Sequence, residues 1–539
     1  MKFAPIMFAA AAAACGSNEN SSANHSAETS ASSVADDSSG GSTATATTDP
    51  EPPTSSETST TGGETSTTGG ETSTTGGEPV TVDPKWLRGF GDGSDQRGTA
   101  VVAAPDGSVL LVGFVEGIFY MDQVMVTAPG RSILLAKLSP EGVVLWAQTF
   151  PYDGDVSGSM APGLELLDNG DILLGGTFLE LDLGAGPIAR VGQEPYEDIF
   201  VARFDASGAL LWSRNFGGEG QWLRNLALDA QGNILLSGRF WGTLSFGGPP
   251  IVSPPKDQDP FVVKLSGTGD LVWNKTFHVD SMFSGLKGHS CVAESDAQGN
   301  IYVAGDSFVG ELDLGGMKLV SEGAISDKYL VKYDPDGTAM WARNFPKQGV
   351  DGFVGGDRLV VHDDGTAWLG GNIYIDPSAS IDFGGGAVAG SCGATICTFL
   401  GAIDADGQTM HALTLAGSDE LSMYSMTSDR AGGVVLAGYF GGTVTLGPQQ
   451  LVSDYLLADK GKDKYIARVD ASGVPLWAKA LVTSDGFGGI ADVSADSAQR
   501  VAVTGVFWGD TLTLDPLSIP LSVMSGKSDL FVAQVGPTD

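Results

Sequence analysis

Residues 229–277 decide the fold. They open with DAQGNILLSGRFWGTLSFGG, pass through a polar segment and close with DPFVVKLSGTGDLVWNKTF. Together with LRNLALDA just before them, they read as four short strands: LRNLALDA, ILLSGRF, FVVKL and LVWNKTF. Apolar residues alternate with polar ones, and turns rich in Gly, Asp and Asn separate the runs, which are hairpin signals. No window shows a 3.6-residue apolar period, so almost no helix is expected.

The same order of residues returns around seven glycines: Gly113, Gly176, Gly238, Gly305, Gly371, Gly438 and Gly505. A second mark is a Trp in the last strand, at Trp146, Trp212, Trp273, Trp341 and Trp477, with His411 in the fifth copy. Four-stranded units repeated seven times predict an all-β fold, a seven-bladed β-propeller. The chain ends agree. The last copy, SDLFVAQVGPTD, stops before any fourth strand, while KWLRGFGDG near the start matches the fourth-strand text LWSRNFGGEG. The N-terminal strand is therefore expected to close the last blade, an exchange a linear solenoid would not need.

The repeat text, Asp-x-x-Gly-Asn, an apolar strand ending in Gly, Asp-x-Phe-Val-x-Lys and Gly-x-x-x-Trp, resembles the bacterial β-propeller repeat family. That family is often found in exported proteins. The resemblance spans roughly residues 86 to 536 and implies the fold while leaving activity open.

Three regions follow. Residues 1–15 read as an export signal: Lys2, then the apolar stretch FAPIMFAAAAAA, then Ala12-Ala13-Ala14-Cys15-Gly16. The stretch is too short to span a bilayer and suits a signal segment. Small residues before Cys15 resemble the bacterial lipobox, which implies lipidation of Cys15. Cleavage after Ala14 by an ordinary signal peptidase is the alternative. Residues 16–84 hold no Lys, Arg or aromatic residue and repeat Glu-Thr-Ser-Thr-Thr-Gly-Gly from Glu57, Glu64 and Glu71. With nothing apolar to bury, they are expected to stay a disordered linker spanning about 45 Å as a coil. Residues 85–539 are the propeller. The expected address is exported, membrane-anchored through lipid, at the outer membrane or cell surface. A monomer is expected.

Of 539 residues, 77 are Gly, 65 are Asp or Glu and 29 are Lys or Arg, for a net charge of −36. A polyanion is repelled by nucleic acid, so no nucleic-acid partner is expected. Cys392 and Cys397 are spaced to close one small loop as a disulfide in an oxidising compartment, and Cys291 reads as a small buried residue. No zinc spacing is present. The turns at Asp334-Pro-Asp336-Gly337 and Asp404-Ala-Asp406-Gly407 invite calcium, but lack the further acids of an EF-hand. They read as hairpin turns; no metal or cofactor is expected, with bound calcium kept as the alternative.

An Asp opens the third strand at Asp198, Asp259, Asp327, Asp463 and Asp529, with an aromatic residue two positions on. Residues repeated in every blade cannot converge on one substrate, so these read as framework. Function should then lie in what varies: the connections from the fourth strand of one blade to the first of the next. Those segments carry Asp153, Asp155, Trp222, His278, Asp280, His289, Asp351 and Glu420. Acids and aromatics around a mouth suit a sugar or a cationic peptide. No Gly-x-Ser-x-Gly elbow, HExxH or phosphate loop is present. The reading is a non-catalytic module that binds a glycan or protein. The alternatives are an extracellular hydrolase or lyase acting on polysaccharide or peptide, whose paired carboxylates would leave no sequence spacing, and a passive spacer.

Overall fold

The computed structural model describes residues 82–154, 163–193, 195–254, 258–278, 290–322, 326–349, 354–374, 379–384, 388–390, 395–453, 462–484, 488–521 and 527–538. Among the described residues every regular element is a strand.

Antiparallel pairing traces seven four-stranded sheets. The first is Gln96–Ala103, Val109–Met121, Val124–Leu138 and Val144–Asp153. The second is Gly163–Leu166, Ile172–Phe178, Asp198–Phe204 and the first half of Leu210–Leu228. The second half of that strand begins the third sheet and pairs with Ile234–Ser245, followed by Asp259–Leu265 and Leu271–Thr276. The fourth runs Cys291–Ser295, Ile301–Phe308, Asp327–Tyr333 and Ala339–Phe345. The fifth runs Val354–Val361, Ala367–Tyr374, Ile396–Ile403 and Thr409–Leu415. The sixth runs Glu420–Ser428, Val434–Gly441, Asp463–Val469 and Pro475–Thr483. The seventh takes Gly488–Ala495, Val501–Phe507 and Asp529–Pro537, and its fourth strand is Val82–Phe90 from the other end of the chain.

The innermost strands touch in cyclic order, first to seventh and back to the first, so the sheets form a closed propeller. The closing strand begins at Val82, three residues before the boundary read from composition, with Val82 opposite Pro537 and Asp83 opposite Gly536. The spacer between second and third strands, read from the sequence as a small-residue segment and loop, holds extra two-stranded hairpins in several sheets. Thr443–Leu446 with Gln449–Val452 is one, and Thr511–Leu514 with Leu517–Pro520 is another.

The repeat residues acquire physical reasons. The inner strand bulges opposite the repeat glycine: Arg224 is extra between Leu223 and Asn225, and Tyr424 between Met423 and Ser425. The bulge pushes its backbone onto the glycine, so a β-carbon on Gly238 would overlap the Trp222 carbonyl oxygen, and one on Gly438 that of Ser422. In the second, third, fourth and sixth sheets a turn Asp meets the Lys or Arg of the third strand. Lys264 Nζ lies 2.8 Å from Asp229, and Arg468 Nε 2.8 Å from Asp429. Asp229 also accepts the backbone N–H groups of Gln231 and Asn233 at 2.9 and 2.8 Å, so the buried carboxylate is fully satisfied.

Between sheets, the repeat Trp lies on the turn glycine of the next sheet. Trp86 covers Gly142, Trp146 Gly208, Trp212 Gly269, Trp273 Gly337 and Trp341 Gly407, and His411 covers Gly473 in the same way. Packing was the expected role, and the structure adds a hydrogen bond. The indole N–H of Trp86, Trp273 and Trp341 donates to Pro140, Pro335 and Ala405 of the following turn at 2.9, 3.2 and 2.9 Å.

The third-strand acids behave as framework. Asp198 accepts the Val191 and Gly192 N–H groups at 2.6 and 3.0 Å. The aromatics two positions on, Phe200, Phe261, Tyr329, Phe399, Tyr465 and Phe531, are all buried. Asp334 accepts Asp336 and Thr338 N–H at 3.0 and 2.7 Å, as a hairpin-turn Asp does.

Two stability measurements follow. Gly238→Ala and Gly438→Ala should each lose about 2–4 kcal/mol in urea unfolding, a core-clash magnitude, whereas Gly130→Ala, which has open space around it, should stay within about 0.5 kcal/mol. Removing Val82–Phe90 leaves the Asp529–Pro537 edge unpaired and should lower the melting temperature and promote concentration-dependent aggregation, read by light scattering.

Candidate functional site

The seven inner strands enclose a cavity of about 820 Å³. Backbone position sets what each strand presents to it. The residues opposite the position just before the repeat glycine include Asn225, Arg358, Ser425 and Asp492. These four bind across to the next inner strand. Asn225 Nδ2 donates to the Ala293 carbonyl at 2.8 Å and to Glu294 at 3.2 Å. Arg358 Nε donates to the Tyr424 carbonyl at 2.5 Å, and Ser425 Oγ to Asp492 at 2.8 Å. Asp492 also accepts the Val101 N–H at 3.0 Å, linking seventh sheet to first.

Two residues further along the inner strand the cavity meets Glu165 from the second sheet and Glu294 from the fourth. Arg224, from the bulge of the third sheet, and Arg430, from the turn of the sixth, also line it. The surrounding ring of protein withdraws these carboxyls from bulk water. Burial, with a smaller push from the charges of Glu294 and Asp492, raises Glu165 to about 8, against a pull from Arg430. Burial raises Glu294 to about 7, opposed by the Asn225 hydrogen bond and Arg430. Burial likewise holds Asp492 above the ordinary carboxyl range despite its hydrogen bonds. The cavity thus combines carboxyl groups that hold protons near neutral pH, guanidinium donors and an amide. Such a set can bind polar ligands or move a proton.

The residues expected from sequence lie elsewhere. Trp222 was placed in a connecting segment, but it sits inside the continuous strand Leu210–Leu228, because the glycines of GGEGQWL let the chain run straight from one sheet into the next. It is half-buried under Arg239, 4.6 Å above the ring, and against Trp241 at 4.4 Å. Tyr196 meets Trp241 edge-on at 5.0 Å. Glu420 is likewise a strand residue, only 8 % exposed and ion-paired with Lys462, whose ammonium lies 4.5 Å above Tyr439. Asp153 is exposed at the end of its strand, opposite Glu180. None of these three lines the cavity, and they sit on different sheets. Asp155, Asp280, His289 and Asp351 lie outside the described residues, as do Cys15 and Cys392. His278 stands 3.3 Å from the framework Asp259. Cys397 is buried and disulfide-bonded, and Cys291 is a buried thiol outside any disulfide, donating to the Phe261 carbonyl at 3.2 Å.

Sequence reasoning missed the cavity residues because it set the strands aside as framework. The available signal was an acid breaking the apolar pattern of an inner strand, in LELLD (164–168) and VAESD (292–296).

No family model matches the chain, and no curated protein matches it. Solved structures that it resembles are distant. One is a protein of unknown function from Dyadobacter fermentans, at 11% identity over 85% of this chain and 99% of that one, with a TM-score of 0.35. An ulvan lyase is 10% identical over 78% and 93%, with a TM-score of 0.40. A gluconolactonase from Xanthomonas campestris is 12% identical over 75% and 90%, with a TM-score of 0.28. The class is defined by the chain's own strand pairing: a β-propeller with a polar cavity at its centre.

The raised carboxyls set a pH dependence. Between about pH 4.5 and 8 the folded chain holds protons on Glu165 and Glu294 that the unfolded chain has released, so their contribution to stability falls as pH rises through that window. Glu165→Gln and Glu294→Gln should therefore match the parent near pH 4 and exceed it near pH 9. After allowance for cavity water, the gain is on the order of 1–3 kcal/mol by urea denaturation.

Proposed function

We propose that this chain is an exported, lipid-anchored β-propeller that binds a glycan or protein segment at its central cavity without turning it over. The observation that carries the reading is the cavity lining. At backbone positions where other sheets carry Val102, Ala227 or Val360, the second and fourth sheets carry Glu165 and Glu294. The fold accepts apolar residues there, so the charged ones serve something besides the sheet. A volume of about 820 Å³ falls in the range of small-ligand and segment-binding sites. The excess of acid over base favours uncharged or cationic ligands at the surface. Cys15 behind its small residues and the Ser/Thr/Gly/Glu-rich stretch that follows support presentation of the propeller away from a membrane. The repeat text supports membership of the bacterial β-propeller repeat family.

The second reading, a hydrolase or lyase, is favoured by one observation: two carboxyl groups that share one cavity and hold protons near neutral pH. A single experiment separates the two. The purified chain is screened by thermal shift against oligosaccharides, short cationic peptides, calcium and EDTA, and each stabilising compound is then incubated with the protein and analysed for products. Binding without products is expected, with about 2.7 kcal/mol of added stability at a hundredfold excess over Kd. Cleavage of the bound compound, abolished by one Glu→Gln change, establishes the enzyme reading instead.

A further inference from the structure

The seven inner strands provide an internal comparison. The position two residues before each inner turn is occupied by Val102, Ala227, Val360, Thr427 and Ser494 in five sheets, and by Glu165 and Glu294 in the other two. Small, apolar or hydroxyl side chains satisfy the fold there. Of the other charged groups of the cavity, Asp168 and Asp363 sit in turns at its edge without a side-chain hydrogen bond or ion pair among the described residues, and those on or against the inner strands, Arg224 apart, already hold protein partners. Arg358 is bound to the Tyr424 carbonyl, Asp492 to Val101 and Ser425, and Arg430 to the Ala495 carbonyl at 3.3 Å. Glu294 accepts one bond from Asn225, and among the described residues Glu165 accepts no hydrogen bond from the protein. On the inner strands themselves, these two carboxyls and Arg224 at the bulge are the groups left to meet a ligand.

We propose that Glu165 and Glu294 form a binding site for a neutral, hydroxyl-rich ligand, a short glycan segment held in the central cavity. The proposal rests on the binding reading above and names its ligand class. A cationic ligand meets Arg224, Arg358 and Arg430 in the same space, and an anionic one meets Asp168, Asp296 and Asp363. A sugar hydroxyl both donates and accepts, and a carboxyl group that keeps its proton does the same. Burial leaves both glutamates protonated over part of the neutral range, which suits them to hydroxyl partners. The same burial makes an ionised form expensive unless a cation is supplied.

The test is calorimetric titration of the full-length protein near pH 6.5 with cellotetraose, maltotetraose and xylotetraose, and with spermidine and tetragalacturonate as charged probes. Parent, Glu165→Gln, Glu294→Gln and the Glu165→Ala/Glu294→Ala double variant are compared, each checked for a cooperative melt. The expected result is binding of a neutral tetrasaccharide that survives the Gln changes within a few fold and weakens at least about tenfold in the double Ala variant, the scale of two lost hydrogen bonds. Binding of spermidine that both Gln variants abolish makes this a cation site and overturns the proposal while leaving the binding reading intact. Tetragalacturonate binding makes it an anion site and likewise overturns the proposal while leaving the binding reading intact. Neutral-sugar binding unchanged in the double Ala variant places the sugar elsewhere and also overturns it. Failure of all five probes overturns the glycan assignment, and the wider screen with peptides then decides the binding reading separately.

Discussion

The ladder between Val82–Phe90 and Asp529–Pro537 is the joint on which the rest of the molecule depends. A four-stranded sheet with apolar residues on both faces is not stable alone, because each face needs a neighbour to exclude water. In a row of such sheets the two end sheets would each leave one face wet. Bending the row until first meets last removes both exposed faces, and the closure must then be locked. Here the lock is a hydrogen-bonded strand ladder: the seventh sheet takes three strands from the C-terminal part of the chain and one from the N-terminal part. Opening the ring means breaking a full strand ladder as well as parting two packed faces.

The same economy shows at each junction. An indole laid on a turn glycine joins one sheet to the next through apolar area and, in several copies, through an N–H bond to a turn carbonyl. Such rings can bury about 150–250 Å² each, so repeated round the propeller they supply much of the inter-sheet cohesion. The glycine is needed because each of these turn positions has a positive φ, and at Gly142 a β-carbon would also overlap the Trp86 ring. Inside four of the sheets a turn Asp and the third-strand Lys or Arg lock the hairpin. Buried ion pairs of this kind give more geometric specificity than stability.

The centre of the ring obeys different rules. Inner strands converge there and leave space, so side chains facing the cavity are released from the packing demands that fix the rest of the strand. Polar residues accumulate at those positions: Asn225, Arg358, Ser425 and Asp492 tie neighbouring strands together, and Glu165 and Glu294 face the open space. Keeping carboxyls where water is scarce lowers stability at high pH. A strand that could have carried Val, as the first and fifth sheets do, bears that penalty where function is served by it.

The repeat was readable because it is periodic: glycines 62 to 67 residues apart, a Trp near the end of most copies and an orphan fourth strand at the N-terminus dictate a closed ring of four-stranded sheets. The framework roles of Asp198, the buried aromatics and the Asp334 turn were readable too, since each is a local hydrogen bond or an alternation. The site was not. Trp222 and Glu420 looked like face residues because they follow polar, Gly-rich text, yet Trp222 lies inside a strand and Glu420 begins one, and each is engaged by a neighbour distant in sequence, Arg239 or Lys462. Glu165 and Glu294 are far apart in sequence and surrounded by ordinary strand text. Local patterning, which acts through near neighbours on the chain, determined the blades and their order. Only the closing of the ring, a long-range event, decided which side chains share the cavity and how firmly their protons are held.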